Sequence, residues 1–149
     1  ANVFDIPLLS DRLVSAIKWA GQDPRTKDLP IGLFGASTGA AAALVAAAAT
    51  QNHRVGAIVS RGGRPDMAAC AFQWVKAPTL LIVGGNDPQV LHLNQEAYDR
   101  LQCKKELRVV PGATHLFEEP GALDQVIDGA KVWFTRHLAA GKAQQCEGA

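Results

Sequence analysis

Cysteine is scarce: Cys70, Cys103 and Cys146 are the whole complement in 149 residues. Their odd number and the lack of a CxxC pair argue against a disulfide framework and against a zinc site. An excess of one charge is also missing, with 15 Lys and Arg against 14 Asp and Glu and a net charge of +1. No basic run stands out, so the electrostatics give no reason to expect nucleic acid or an anionic membrane as partner. No apolar run approaches the roughly 18 residues of a membrane span. The stretch from Ala40 to Ala49 comes nearest, and its alanines suit a helix buried in protein. The opening residues, ANVFDIPLLSDR, show no basic n-region, so no secretory leader is expected there, and reduced thiols in a cytoplasm are the expected setting. Nothing in the chain implies a metal or an organic cofactor.

What is present is ample apolar material, 48% of the chain, enough for one modest domain. A helix is expected over DIPLLSDRLVSAIKWAGQD, with Asp5 as its cap and Pro7 in its first turn. Short apolar runs bounded by Gly and Pro then read as strands: IGLFGA, RVGAIVS, APTLLIVGG and ELRVVPG. Helical patterns separate them: the alanine-rich segment after Ser37, DMAACAFQWV, PQVLHLNQEAYDRLQ, and a closing EPGALDQVIDGAKVWFTRHLAA. In the closing helix Leu123, Val126, Ile127, Ala130, Phe134 and Leu138 are expected to face inward. The three tryptophans, Trp19, Trp74 and Trp133, are expected in the core or at its rim, and His53, His92 and His137 on the surface or at helix ends. This alternation predicts a three-layer α/β/α unit with a mainly parallel sheet over residues 1–140, followed by a flexible tail over 141–149.

In such sheets the working residues collect at the carboxyl ends of the strands. Ser37 follows the first strand, RGGRPD the second, Asp87 the third and His115 the fourth. A serine hydroxyl is a weak nucleophile without a base, and an imidazole base needs a carboxylate to fix its tautomer and stabilise its charged form. Ser37 lies in Gly35-Ala36-Ser37-Thr38-Gly39, the GxSxG pattern of a strained strand-to-helix elbow. Gly35 and Gly39 are expected to stand where strand and helix crowd together. The backbone N–H of Thr38, at the start of the following helix, is the natural first donor to an oxyanion. Arg61, after the second strand, is a candidate for meeting an anionic substrate group, as is Arg64. The plainer alternative for both is surface pairing with Glu118 or Glu119.

At these residues the chain resembles the α/β-hydrolase superfamily, and within it the dienelactone-hydrolase-like proteins. FDIPLLSDRLVSAIKWA, IGLFGASTGAAAAL, APTLLIVGGNDPQV and VVPGATHLFEEPGAL carry the resemblance over nearly the whole chain. It implies an eight-stranded sheet of which the last four strands are present, with Ser37 as nucleophile, Asp87 as triad acid and His115 as base. Dienelactone hydrolases proper use cysteine where this chain has Ser37, so a serine hydrolase acting on a small ester, thioester or lactone is the expected class. The first half of such a fold, with the loop that supplies a second oxyanion donor, would precede Ala1, so the chain is expected to be the C-terminal part of a longer hydrolase. IGLFGA would otherwise be an open sheet edge for a preceding segment or a second copy of the chain to cover. In some relatives of this type such a unit follows a phosphoribosyltransferase domain.

Two rivals stand beside this reading. A non-catalytic scaffold or inactive fragment would use Ser37 and Asp87 merely as helix caps, which their residue types favour. A nucleotide-binding domain would use GLFGASTG as a phosphate loop, but the glycine spacing is not GxGxxG and no Walker lysine follows.

Overall fold

The computed structural model describes residues 5–50 and 54–143, with side chains as far as Leu138. His53, Cys146 and the part of the expected tail from residue 144 onward lie outside the described residues. The chain runs α1 (Ile6–Gln22), β1 (Ile31–Ala36), α2 (Thr38–Ala49), β2 (Val55–Arg61), a 3-10 helix (Pro65–Trp74), β3 (Thr79–Gly84), α3 (Pro88–Arg100), β4 (Lys105–Val110) and α4 (Ala122–Ala143). The four strands form one sheet in the order β1-β2-β3-β4, and every neighbouring pair is parallel.

That order explains the layering. Crossovers of one hand that step in one direction across a sheet all fall on the same face. The connecting helices α2, the 3-10 helix and α3, together with α1, therefore share a core with Leu33, Val55, Ile58 and Leu81. Only α4, after the last strand, returns over the opposite face, where Ala57, Val59, Leu80 and Ile82 meet Val126, Ala130 and Trp133. β3 is buried along its whole length, as its unbroken apolar run requires between two helical layers. α2 approaches the sheet closely because Ala40 to Ala43 put nothing larger than a methyl group in the contact.

The closing helix is rotated from its expected setting. Val126, Ala130 and Trp133 are buried and Phe134 and Leu138 partly so, but Leu123 and Ile127 are about half exposed, at 49% and 54%. The inward seam is Ala122, Val126, Ala130 and Trp133, a narrower stripe than the apolar residues on the helix suggest. Trp133 is fixed in it by donating its indole N–H to Pro78 O at 3.2 Å. Trp19 and Trp74 are exposed, contrary to the expected core or rim placement. His137, near the end of α4, is partly buried: its ring lies 4.2 Å from that of Trp133, and burial, aided by Lys104 and Arg136, lowers its pKa from the ordinary histidine value.

Among the described residues β1 pairs with β2 alone, so its other edge is open. Phe34, on the α4 side of β1, is 51% exposed beside that edge.

Candidate active site

Ser37 stands between the end of β1 and the first residue of α2 with φ 51° and ψ −124°. A non-glycine residue rarely adopts positive φ, and such a conformation costs on the order of 1–3 kcal/mol unless its surroundings impose it. Here they do. The Ser37 N–H donates to Arg61 O at 3.3 Å, and the Ser37 carbonyl accepts from Arg64 N at 3.0 Å and Ala40 N at 3.2 Å. At Gly35 a Cβ would fall 2.5 Å from Gly39 O and 2.6 Å from Ala40 Cα, so only glycine lets strand and helix close this tightly. Gly39 departs from the expected crowding: a Cβ built there meets nothing within 4 Å. The close approach involves its carbonyl, and the steric demand for glycine falls on Gly35.

Ser37 occupies the N-cap position of α2, yet its side chain makes no capping hydrogen bond. Asp87 occupies the N-cap position of α3 and makes none either. Its Oδ2 lies 2.9 Å from His115 Nδ1 instead. The Asp87 side chain is mostly buried, at 15% exposure, and that of His115 is open to solvent, at 41%. A carboxylate on Nδ1 fixes the proton there and leaves Nε2 to act as a base.

The loop carrying His115 is held on all sides. Asn86 donates its N–H to Ala113 O at 2.9 Å and its side-chain amide to Gly112 O at 3.2 Å, so the Asp87 and His115 loops are stitched together. Thr114 donates both its N–H and its hydroxyl to Glu119 Oε1, which holds the Glu119 carboxyl below its usual range. Phe117, at φ 57°, buries its ring beneath the loop. Gly84 leaves room for the loop, since a Cβ there would sit 2.2 Å from Ala113 O. Asn86, Gly84 and Phe117 escaped the sequence reading; the one signal for them was the glycine pair ending the third strand.

Ser37 and His115 meet through the β2 loop. Ser37 bonds to Arg61 O, and Gly62, at φ 50°, stands against the imidazole, where a Cβ would lie 3.4 Å from His115 Nδ1. Among the described residues no hydrogen bond joins the Ser37 hydroxyl to His115. Thr38 is buried at the start of α2. Arg61 lies with its guanidinium 5.5 Å from the centre of the Phe117 ring and donates to Leu116 O at 3.5 Å. Neither arginine pairs with Glu118 or Glu119 among the described residues: Arg64 binds Asp66 at 2.8 Å, and Arg61 has no carboxylate partner. No group of three or more His, Cys, Asp or Glu among the described residues is arranged to hold a metal ion. None of the described helices is long and apolar enough to cross a membrane.

A parallel sheet with these rim loops defines an α/β hydrolase, and solved structures agree. Dienelactone hydrolase from Anabaena variabilis superposes with a TM-score of 0.89 at 55% identity, over 91% of this chain and 62% of that one. Est1E from Butyrivibrio proteoclasticus shares the fold at 13% identity, with a TM-score of 0.73 over 87% of this chain and 69% of that one. The chain belongs to the dienelactone hydrolase family, whose model matches residues 7–137. Two Mycobacterium tuberculosis proteins, from strains H37Rv and CDC 1551, are 59% identical over 138 residues and are named, provisionally, phosphoribosyl transferases. The match covers 93% of this chain but only 31% of those relatives.

Proposed function

We propose that Ser37, His115 and Asp87 act as a nucleophile, base and acid that hydrolyse an ester, thioester or lactone through an acyl-enzyme. The observation that carries this reading is the use made of two helix-cap positions. Ser37 and Asp87 are both residues that favour capping, and neither caps; Asp87 is bonded to His115 instead. His115 Nε2 takes the proton of Ser37 as its oxygen attacks the acyl carbon, and Asp87 stabilises the imidazolium that forms. The Thr38 N–H and the N-terminus of α2 hold the oxyanion. His115 then returns its proton to the leaving group and activates the water that clears the acyl-enzyme.

Arg61, with no carboxylate partner among the described residues, would favour substrates bearing an anionic group. The second oxyanion donor would come from the part of a hydrolase domain that this chain does not span, and lacking one such donor typically costs about 10²–10³ in rate. The name of the mycobacterial relatives fits a longer architecture in which a hydrolase unit accompanies a transferase.

The test is covalent labelling with a fluorophosphonate, alongside turnover of a neutral p-nitrophenyl ester. Modification at Ser37, absent in Ser37→Ala and much slowed in His115→Ala, is expected. Folded protein that resists the probe, or a Ser37→Ala variant that still reacts, would overturn the reading in favour of a non-catalytic scaffold.

A further inference from the structure

We propose that Asn94 is a positioning residue for the nucleophile, acting through the Gly62–Arg64 loop; its effect on catalysis rests on the reading of Ser37 given above. Asn94 lies on α3, the helix that starts beside Asp87, and it is completely buried. Burying an amide is costly where its polar atoms go unpaired; among the described residues Asn94 Oδ1 has no hydrogen-bond partner, and the side chain is held through its Nδ2 alone. Its Nδ2 donates to Val90 O at 2.8 Å, within its own helix, and to Gly63 O at 3.0 Å, 31 residues away in sequence. The second bond is the one a helix does not need for itself.

Gly63 is the middle of a short chain of contacts. Its carbonyl is held by Asn94, and the next N–H, that of Arg64, donates to the Ser37 carbonyl. On the other side, the Arg61 carbonyl receives the Ser37 N–H, and Gly62 N donates to Ile82 O at 2.7 Å. Both backbone groups of the strained serine are therefore gripped by residues 61 and 64. The loop packs closely on Ser60 of β2 and Ala40 of α2, where only glycine fits: a Cβ at Gly63 would meet Ser60 Oγ at 2.1 Å and Ala40 Cβ at 2.6 Å. Asn94 ties the loop to α3 through the Gly63 carbonyl. One amide thus ties the helix of the triad acid to the loop that imposes the conformation of the nucleophile and abuts the base.

If the brace loosens, the peptide carrying Arg64 N–H is free to turn, and Ser37 can relax from positive φ. A displacement of about 1 Å at a reacting group costs up to roughly 10²-fold in rate, and it acts on the chemical step more than on substrate binding.

Two readouts on the full chain test this. In Asn94→Leu, hydrogen exchange at the Arg64 amide is expected to accelerate at least about tenfold, while β3 amides keep their protection. Fluorophosphonate labelling and kcat should fall roughly 10- to 100-fold with KM little changed. Ala97→Gly, which weakens the same helix without touching the loop, should leave labelling within about twofold of the parent. Asn94→Ala serves if the leucine variant does not fold. Unchanged exchange at Arg64 would overturn the brace whatever the activity, and so would an equal loss of labelling in Ala97→Gly. Faster exchange at Arg64 in a protein whose parent never labels would leave the brace standing and sink the nucleophile instead.

Discussion

Ser37, Asp87 and His115 each had a plain alternative in the sequence, as cap, cap and loop histidine. What separates the alternatives is where the polar atoms go. A capping serine takes an extended backbone and accepts from the next turn; Ser37 does neither. Ser60, one strand over, shows the opposite economy. It is fully buried, and its hydroxyl has no hydrogen-bond partner among the described residues. An unsatisfied buried hydroxyl costs about 1–3 kcal/mol, so Ser60→Ala is expected to raise the midpoint of urea denaturation without altering its slope. A lower midpoint would mean that Ser60 holds the Gly63 loop by a contact that alanine cannot replace.

Helix ends supply a contrast at the next scale. Asp5 and Asp87 both precede a helix with proline in its first turn, and the sequence treats them alike. Asp5 accepts from Leu8 N at 3.0 Å, as a cap should. Asp5→Ala is therefore expected to cost about 1 kcal/mol in stability and leave activity unchanged. Asp87→Asn is expected to do the reverse, lowering ester turnover on the order of 10⁴-fold with no cap lost from α3. Thermal denaturation and steady-state turnover of the two variants, side by side, check both halves. In the same way α4 could be recognised as a helix, but its rotation could not. Leu123 and Ile127 are as apolar as Val126, and which of them is covered shows only in the packed fold, where Trp133 is anchored to Pro78 O.

At the scale of the whole molecule, the partly buried His137 links stability to pH. The folded state lowers the pKa of His137 below the ordinary histidine value, chiefly through partial burial beside Trp133, with Lys104 and Arg136 adding to it and Glu106 opposing. The unfolded chain therefore binds the proton more readily than the folded one. The sign follows: this contribution is fully present above about pH 6.5 and is lost as pH falls through the lowered folded value. His137→Phe is expected to flatten the acid side of the stability profile, measured by chemical denaturation from about pH 7.5 down to about pH 5. An unchanged slope would place the acid sensitivity elsewhere, for instance at Glu119, whose Thr114 contacts are lost when its carboxyl protonates.

The order of helices and strands was determined by the sequence alone, because periodicity and the glycines and prolines between apolar runs are local properties. So was the placing of a serine, an aspartate and a histidine after the first, third and fourth strands. The tertiary structure decided the rest: that Asp87 turns from its helix to His115, that Gly39 needs no room while Gly35 and Gly84 do, and that residues 61–64 grip Ser37 and are gripped by Asn94. Each of these depends on atoms brought together from distant points of the chain, 28 residues apart for Asp87 and His115 and 31 for Gly63 and Asn94. No local pattern encodes such distances, since they are fixed only when the strands pair and the helices close over them.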